Sequence, residues 1–381
     1  MFNKDNIIIF AAGGGNDVFS AIAYIESFNT NFKKIAIVSV LGFTPFHSNT
    51  EIKQDIINIE LPLIKPTKQF HRYIQTLEPK EISNTEKLIE EIINENSSCI
   101  YDYICMSPKY SSVVQAINLR NLFIEWNMLE ENTLLNIVDF GGDILTNGLQ
   151  SSIISPELDA YTLSVVREIC NHTKYIGNIS VCFPSIDGEL NADYLSDICL
   201  NDNIATYEFD KQIMHDKLSK IYLKLKDIRP GNTIPNMINV LESKTNDKIS
   251  IQTKKHWIIN KEKRSVNINT VIDLNLQSHI YIFDLYINNP FVDLFNKEPY
   301  DLTHIVRGII DIYKLQDKSV DTIQSSDFFL QYLSQDIEGN YTNKNLIGNK
   351  VMFVDVYPFI IKHEKVSNEL YCLFTSLILI D

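Results

Sequence analysis

The 381-residue chain is poor in several things, and each scarcity excludes a class of protein. Glycine is scarce, at 13 residues, which excludes a collagenous or glycine-rich linker architecture and makes any local cluster of glycines informative. Six cysteines occur (Cys99, Cys105, Cys170, Cys182, Cys199 and Cys372), none in a C-x-x-C pair and most inside apolar runs. They read as reduced thiols acting as small hydrophobes, not as a disulfide framework or a zinc site. Positive charge is also short: 34 basic side chains stand against 48 acidic ones, a formal −14. A polyanion needs a basic face to replace its counterions, so general affinity for nucleic acid or an anionic membrane is not expected. The nearest approach to a basic patch is Lys254-Lys255 with Lys261–Arg264, which reads as a solvated hairpin face. No apolar run is long enough to span a bilayer and no secretory signal is evident, so the expectation is a soluble cytoplasmic protein. Neither G-x-x-x-x-G-K-[ST], G-x-S-x-G nor H-E-x-x-H occurs, so the phosphate loop, the serine nucleophile elbow and the zincin helix are all missing.

What is present is alternation. The apolar run Asn6–Ala12 enters Gly13-Gly14-Gly15, after which Val18, Ile22 and Ile25 recur at helical spacing. Further strands are expected at Lys34–Leu41, Ile100–Met106, Leu134–Val138, 178–183 and His279–Asp284. Helices are expected at 84–96, about 110–127, about 157–171, from 192, at 211–227 and at Leu302–Leu315, and the polar stretch 201–210 reads as a break. Trp257–Asn260 and Ser265–Asn269 suggest a hairpin. Strands alternating with helices predict a doubly wound α/β fold, Rossmann-like, with a mainly parallel sheet. The spacing suggests a ligand-binding core over 1–205, its continuation over 206–315, and a C-terminal extension over 316–381. That extension is expected to be mostly helical, with a helix near Phe328–Leu333 and a last strand at Lys350–Val354.

Two of the glycine clusters follow predicted strands: Gly13–Gly15, trailed by Asn16 and Asp17, and Gly141-Gly142, flanked by Asp139 and Asp143. In an open parallel sheet, ligands bind at the C-terminal strand ends, where glycine lets backbone N–H groups approach and a helix N-terminus favours an anion. The second predicted strand, 35–41, ends without an acidic residue, and the first turn is GGGND. A standard NAD or S-adenosylmethionine site is therefore disfavoured. Asp17, Asp139, Asp143 and Asp159 could act as local turn formers, as an acid/base pair, or as oxygen ligands for Mg²⁺ or Mn²⁺. The histidines His256, His279 and His304 lack an i,i+4 partner and read as surface or packing residues.

Four segments in order, AAGGGNDV (11–18), VDFGGDIL (138–145), SPELDAYTL (155–163) and DGEL (187–190), resemble an uncharacterised family, domain of unknown function 1152. The resemblance covers roughly residues 5–310, thins after about 200, and leaves the last 70 residues unmatched. Asn16 stands where the family pattern leads one to expect a smaller residue. The family brings no established activity; the resemblance implies a shared site containing Asp17, Asp139, Gly141, Gly142, Asp143, Ser155, Pro156, Asp159, Asp187, Gly188 and Glu189. The expected assignment is Asp17, Asp143, Asp159 and Glu189 as catalytic groups. Gly13, Gly14, Gly15, Asn16, Gly141, Gly142 and Ser155 would contact the ligand, and Asp139 with Asp143 would hold a metal.

Three functions fit these residues: an enzyme performing hydrolysis or group transfer on a nucleotide-like or phosphorylated metabolite, a Mg²⁺- or Mn²⁺-dependent hydrolase of a phosphate-free substrate, and a non-catalytic nucleotide sensor or scaffold. The expected partner is a small-molecule ligand, and association into a homo-oligomer stays open.

Overall fold

The computed structural model describes residues 5–13, 17–27, 32–40, 65–67, 72–74, 92, 101–106, 111–129, 132–148, 156–173, 175–226, 232–243, 248–259, 262–297, 312, 334–335, 351–353, 359–363, 370–374 and 377–380. The expected helices at 84–96, Leu302–Leu315 and near Phe328–Leu333 fall almost wholly outside them.

The chain opens with β1 (Asn6–Ala11), α1 (Asp17–Ser27) and β2 (Lys34–Val40), then two short strands, β3 (Lys65–Thr67) and β4 (Arg72–Ile74). It continues through β5 (Tyr101–Met106), α2 (Ser112–Glu125), β6 (Thr133–Phe140), α3 (Pro156–Asn171), β7 (Gly177–Cys182) and α4 (Ala192–Cys199). After these come β8 (Ala205–Glu208), α5 (Lys211–Leu225), α6 (Thr233–Glu242), β9 (Lys248–Ile259), β10 (Glu262–Asp273) and β11 (His279–Asp284). Seven strands form one sheet in the order β5-β2-β1-β6-β7-β11-β8. The first five of that order are parallel, and β11 runs antiparallel to both β7 and β8. The fold is thus doubly wound and Rossmann-like, with the order reversing between β1 and β6.

Burial explains why the apolar runs became strands. All six residues of β1 are buried and alternate between two cores. Ile7, Ile9 and Ala11 face the cluster packed by α1, α5 and α6, whereas Ile8 and Phe10 face the one packed by α2 and α3. A strand covered on both faces needs no polar alternation. Caps set several helix starts: Ser111 Oγ accepts from Val114 N (3.3 Å), and Asp210 Oδ1 accepts from Gln212 N and Ile213 N (3.0 and 2.9 Å). Inside the α1 core, Tyr24 OH donates to Ser180 Oγ (3.0 Å), Ser180 Oγ to Asn136 Oδ1 (2.9 Å), and Asn136 Nδ2 to Tyr24 OH (3.0 Å). This closed ring fixes α1 against β6 and β7, the strands whose ends carry the glycine and carboxylate motifs.

Three expectations need correction. The polar stretch 201–210, read as a break, contains the edge strand β8, whose largely exposed residues give no apolar signal. Helix α6 follows Arg229-Pro230-Gly231 where no element was expected. The hairpin is far longer than anticipated, with twelve residues in each strand paired from Lys248↔Asp273 to Ile259↔Glu262. Beyond residue 316 the described residues lie in short strands, at Ser334–Gln335, Val351–Phe353, Phe359–His363, Leu370–Phe374 and Leu377–Ile380, and the rest of the expected mostly helical extension falls outside the described residues. Among the described residues no helix is long and apolar enough to cross a membrane.

Candidate active site

The site grows out of three strand ends. Strand β1 finishes at Ala11, and Ala12 N still donates to Val138 O (2.9 Å), which holds the turn against β6. Gly13 then adopts φ +77°, and Asp17 opens α1. Gly14, Gly15 and Asn16 lie outside the described residues. At Gly13 a Cβ would stand 3.1 Å from Asp17 Oδ2 and 3.3 Å from Asp159 Oδ1. Glycine is therefore favoured twice there, by the left-handed backbone and by two carboxylates that an added Cβ would push aside by a few tenths of an ångström.

Strand β6 delivers Asp139 as its penultimate residue, 1% exposed. Gly141 and Gly142 follow with φ +138° and +97°, and a short 3-10 turn begins at Asp143. Asp139 Oδ2 accepts from Ile144 N (3.1 Å), so this carboxylate folds the turn behind it as well as facing the site. Asp159, from the first turns of α3, is 2% exposed. The third strand end, after β7, carries Asp187 and Glu189, both buried, with Asp187 Oδ1 accepting from Glu189 N (3.0 Å). Ser155 lies outside the described residues.

Asp187 is a site residue to which the sequence reading gave a motif position but no role. A Cβ on Gly141 would fall 2.5 Å from the Asp187 Cγ and Oδ2, so the missing side chain at Gly141 leaves the space this carboxyl occupies. Its loop is held in unusual backbone: Phe183 and Ser185 have φ of +50° and +67°, and Ser185 N donates to Gly141 O (2.7 Å). Left-handed geometry at a bulky residue costs of order 1–3 kcal/mol and clusters at functional sites. Nothing in FPSIDGEL foretells it.

Oxygens of Asp139, Asp143 and Asp159 lie within 4.8 Å of one another, as do those of Asp143, Asp187 and Glu189. Asp143 belongs to both groups and is their hinge. Burial pushes the Asp139 carboxyl up to about 8, and the nearby charges of Asp17 and Asp187 push the same way. Asp143 is raised well above the usual carboxylate range by burial, then by Asp139 and Glu189. Asp159 is raised by burial, then by Asp143 and Asp139. The charged neighbours acting on these three groups are thus themselves carboxylates. Asp143 shares side-chain hydrogen bonds with Asp139 and Asp159, which requires protons between them. Such a cluster holds a proton or a cation, because so many buried negative charges cannot coexist uncompensated. The donor set is all oxygen, which suits a hard divalent ion and not a soft one.

Cysteine chemistry is disfavoured at Cys170, Cys182 and Cys199. Burial raises the Cys182 thiol well above its usual range and pushes Cys170 and Cys199 up to about 11 and 12, so none is a ready thiolate.

A family model described as protein of unknown function, DUF1152, matches residues 8–211. The chain belongs to this family. The matched span contains all three strand ends and every carboxylate of the cluster, so what the DUF1152 region builds includes this rim. No curated protein matches the chain.

Proposed function

We propose that this DUF1152 protein is a divalent-cation-dependent hydrolase or group transferase acting on a phosphate-bearing small metabolite. The observation that carries the reading is the pair of buried three-carboxylate groups joined through Asp143 at the point where the strand order reverses. In open α/β sheets that crevice is the usual ligand site. Asp139, Asp143 and Asp159 on one side, and Asp187 with Glu189 on the other, would hold Mg²⁺ or Mn²⁺. Oxygens up to 4.8 Å apart suit ions with metal–oxygen distances of about 2.1–2.4 Å after small shifts. A bound ion would neutralise the carboxylates and polarise a phosphoryl oxygen. The chain's own groups then bind and move protons: a carboxyl kept protonated near neutral pH can donate to a leaving group, and its conjugate base can accept from water. The turn at Gly13 and the start of α1 offer backbone N–H groups to an anion. No carboxylate closes β2, so dinucleotide chemistry is not part of this reading.

A second reading, a cation-dependent hydrolase of a phosphate-free substrate, is favoured by one detail. Asp17 occupies the first position of α1 and already complements the positive end of that helix. A thermal-shift screen separates the two, with Mn²⁺ or Mg²⁺ alone, nucleotides and sugar phosphates alone, and each pair together. The proposal expects stabilisation by the ion and a further increment from a phosphate compound only when the ion is present, followed by turnover of that compound. An ion effect without any phosphate increment supports the second reading. Nucleotide stabilisation without turnover would instead make the protein a sensor, and no ion effect at all sinks both enzyme readings.

A further inference from the structure

The carboxylates after β6 and β7 sit on two loops, and side chains from later in the chain hold the peptides beside them. Asn289 Nδ2 donates to Ile144 O (3.0 Å), one residue past Asp143. The N–H of Ile144 donates to Asp139 Oδ2 (3.1 Å), so both polar atoms of this residue are gripped, one by a site carboxylate and one by Asn289. Asn289 is itself fixed, because its Oδ1 accepts from Phe291 N (3.0 Å). In the second loop, Asn236 Nδ2, from α6, donates to Ile186 O (3.1 Å), the carbonyl of the peptide that joins Ile186 to Asp187. Gln277 Nε2, from the 3-10 turn before β11, donates to Pro184 O (2.9 Å). The N–H of that same Pro184–Ser185 peptide donates to Gly141 O (2.7 Å) and so ties the two loops together.

Asn236, Gln277 and Asn289 are all buried, and all three lie beyond residues 8–211, the span of the family match. Any buried carbonyl needs a partner, and a water or a nearby backbone N–H would satisfy it. An amide on another element does more, because it fixes the carbonyl relative to that element. That matters where the groups being carried repel one another. Carboxylates crowded as these are relax by moving apart, and a divalent ion with strict geometry then loses ligands. The second loop also holds Phe183 and Ser185 at positive φ, and such backbone persists only where its surroundings over-determine it.

We infer that Asn236, Gln277 and Asn289 are positioning residues for the carboxylate cluster, so that the chain beyond the family match sets the geometry in which a cation is held. The inference rests on the cation-dependent reading above. Asn289 acts on Asp139 and Asp143 through Ile144, whereas Asn236 and Gln277 act on Asp187 and Glu189. Partners that orient a metal's ligands without touching the metal change its affinity by about 10–100-fold.

Calorimetric titration of the full chain with Mn²⁺ alone, near neutral pH and well below the melting temperature, tests this. Asn289→Leu, Asn236→Leu and Gln277→Met remove the donors at similar size, and each should weaken Mn²⁺ binding by about tenfold or more. Tyr24→Phe, which breaks a buried hydrogen bond away from these loops, should shift it by less than about threefold. In an Asp187→Asn background, Asn236→Leu and Gln277→Met should have almost no further effect, while Asn289→Leu keeps its own. A variant that does not fold is replaced by serine at the same position, which is too short to reach the carbonyl and should weaken binding in the same way. Amide variants that bind Mn²⁺ as tightly as Tyr24→Phe overturn the inference, as does a full effect of Asn236→Leu once Asp187 is gone. Failure of both series to fold makes the amides structural alone and overturns it too. A wild type that binds no Mn²⁺ is a different result: it removes the cation-dependent function, and the inference with it.

Discussion

Residue by residue, the candidate site is defined by what each group must tolerate. Asp143 touches both carboxylate groups, so Asp143→Asn should abolish cation binding and reduce turnover by at least about 10²-fold. The swap is nearly isosteric and removes the cost of keeping a buried carboxyl protonated, so the melting temperature of the ion-free protein near neutral pH should hold or rise. A large drop in melting temperature would instead make Asp143 a turn former. Gly141 is the sharper structural test. With φ +138° and the Asp187 carboxyl 2.5 Å from any added Cβ, Gly141→Ala must bend backbone and displace Asp187 together. Urea unfolding should show a loss of roughly 2–4 kcal/mol, and an unchanged midpoint would mean the loop yields without resistance. The glycines and aspartates of both motifs were legible from sequence because glycine is scarce and stood directly after apolar runs. Asp187 was not assigned because its role depends on a contact with Gly141, 46 positions earlier in sequence. Such meetings follow from topology, and no local pattern announces them.

Among elements, sequence legibility follows burial. Strands β1, β2, β6 and β7 are covered on both faces, so their apolar runs announced them, and α1, α3 and α5 announced themselves by 3.6-residue spacing. Edge strand β8 escaped notice because an exposed strand has no apolar face to advertise. The hairpin was shortened because Lys254-Lys255 and Lys263-Arg264 interrupt its apolar alternation, although backbone pairing runs straight through them. The hydrogen-bonded ring of Tyr24, Asn136 and Ser180 shows how one element's position bears on the site. It joins α1, which begins with Asp17, to β6 and β7, which end in the other carboxylates. Tyr24→Phe removes the hydroxyl that both receives from Asn136 and donates to Ser180, leaving buried partners unmatched at a cost of about 1–3 kcal/mol. The expected outcome is lower stability in urea with cation affinity shifted less than about threefold, because the site's own ligands are untouched. A collapse of cation affinity at temperatures where the variant is folded would mean that the ring positions the carboxylates directly.

At the level of the whole molecule, the acidic cluster ties stability to pH, and the sign can be worked out. An unfolded Asp releases its proton near 3.8, whereas burial and neighbouring carboxylates raise Asp139 to about 8 and hold Asp143 and Asp159 well above the ordinary range. Between those limits the native state keeps protons that the unfolded chain has released. Stability of the ion-free protein must therefore fall as pH rises from about 4 to about 8, by about 1.4 kcal/mol per pH unit for each proton retained. A divalent ion binds the deprotonated carboxylates, so its affinity climbs over the same range. Saturating Mn²⁺ should then flatten or reverse the slope. Surface repulsion in a chain of −14 also weakens stability as carboxylates ionise. Salt separates the two contributions, because high ionic strength screens surface charges and leaves buried ones largely unscreened. Thermal melts at pH 5, 6, 7 and 8, in high salt, with and without Mn²⁺, make the comparison; the slopes should differ for the wild type, and differ less for Asp143→Asn. Parallel slopes in the wild type would mean that the cluster is held together by shared protons alone and binds no cation.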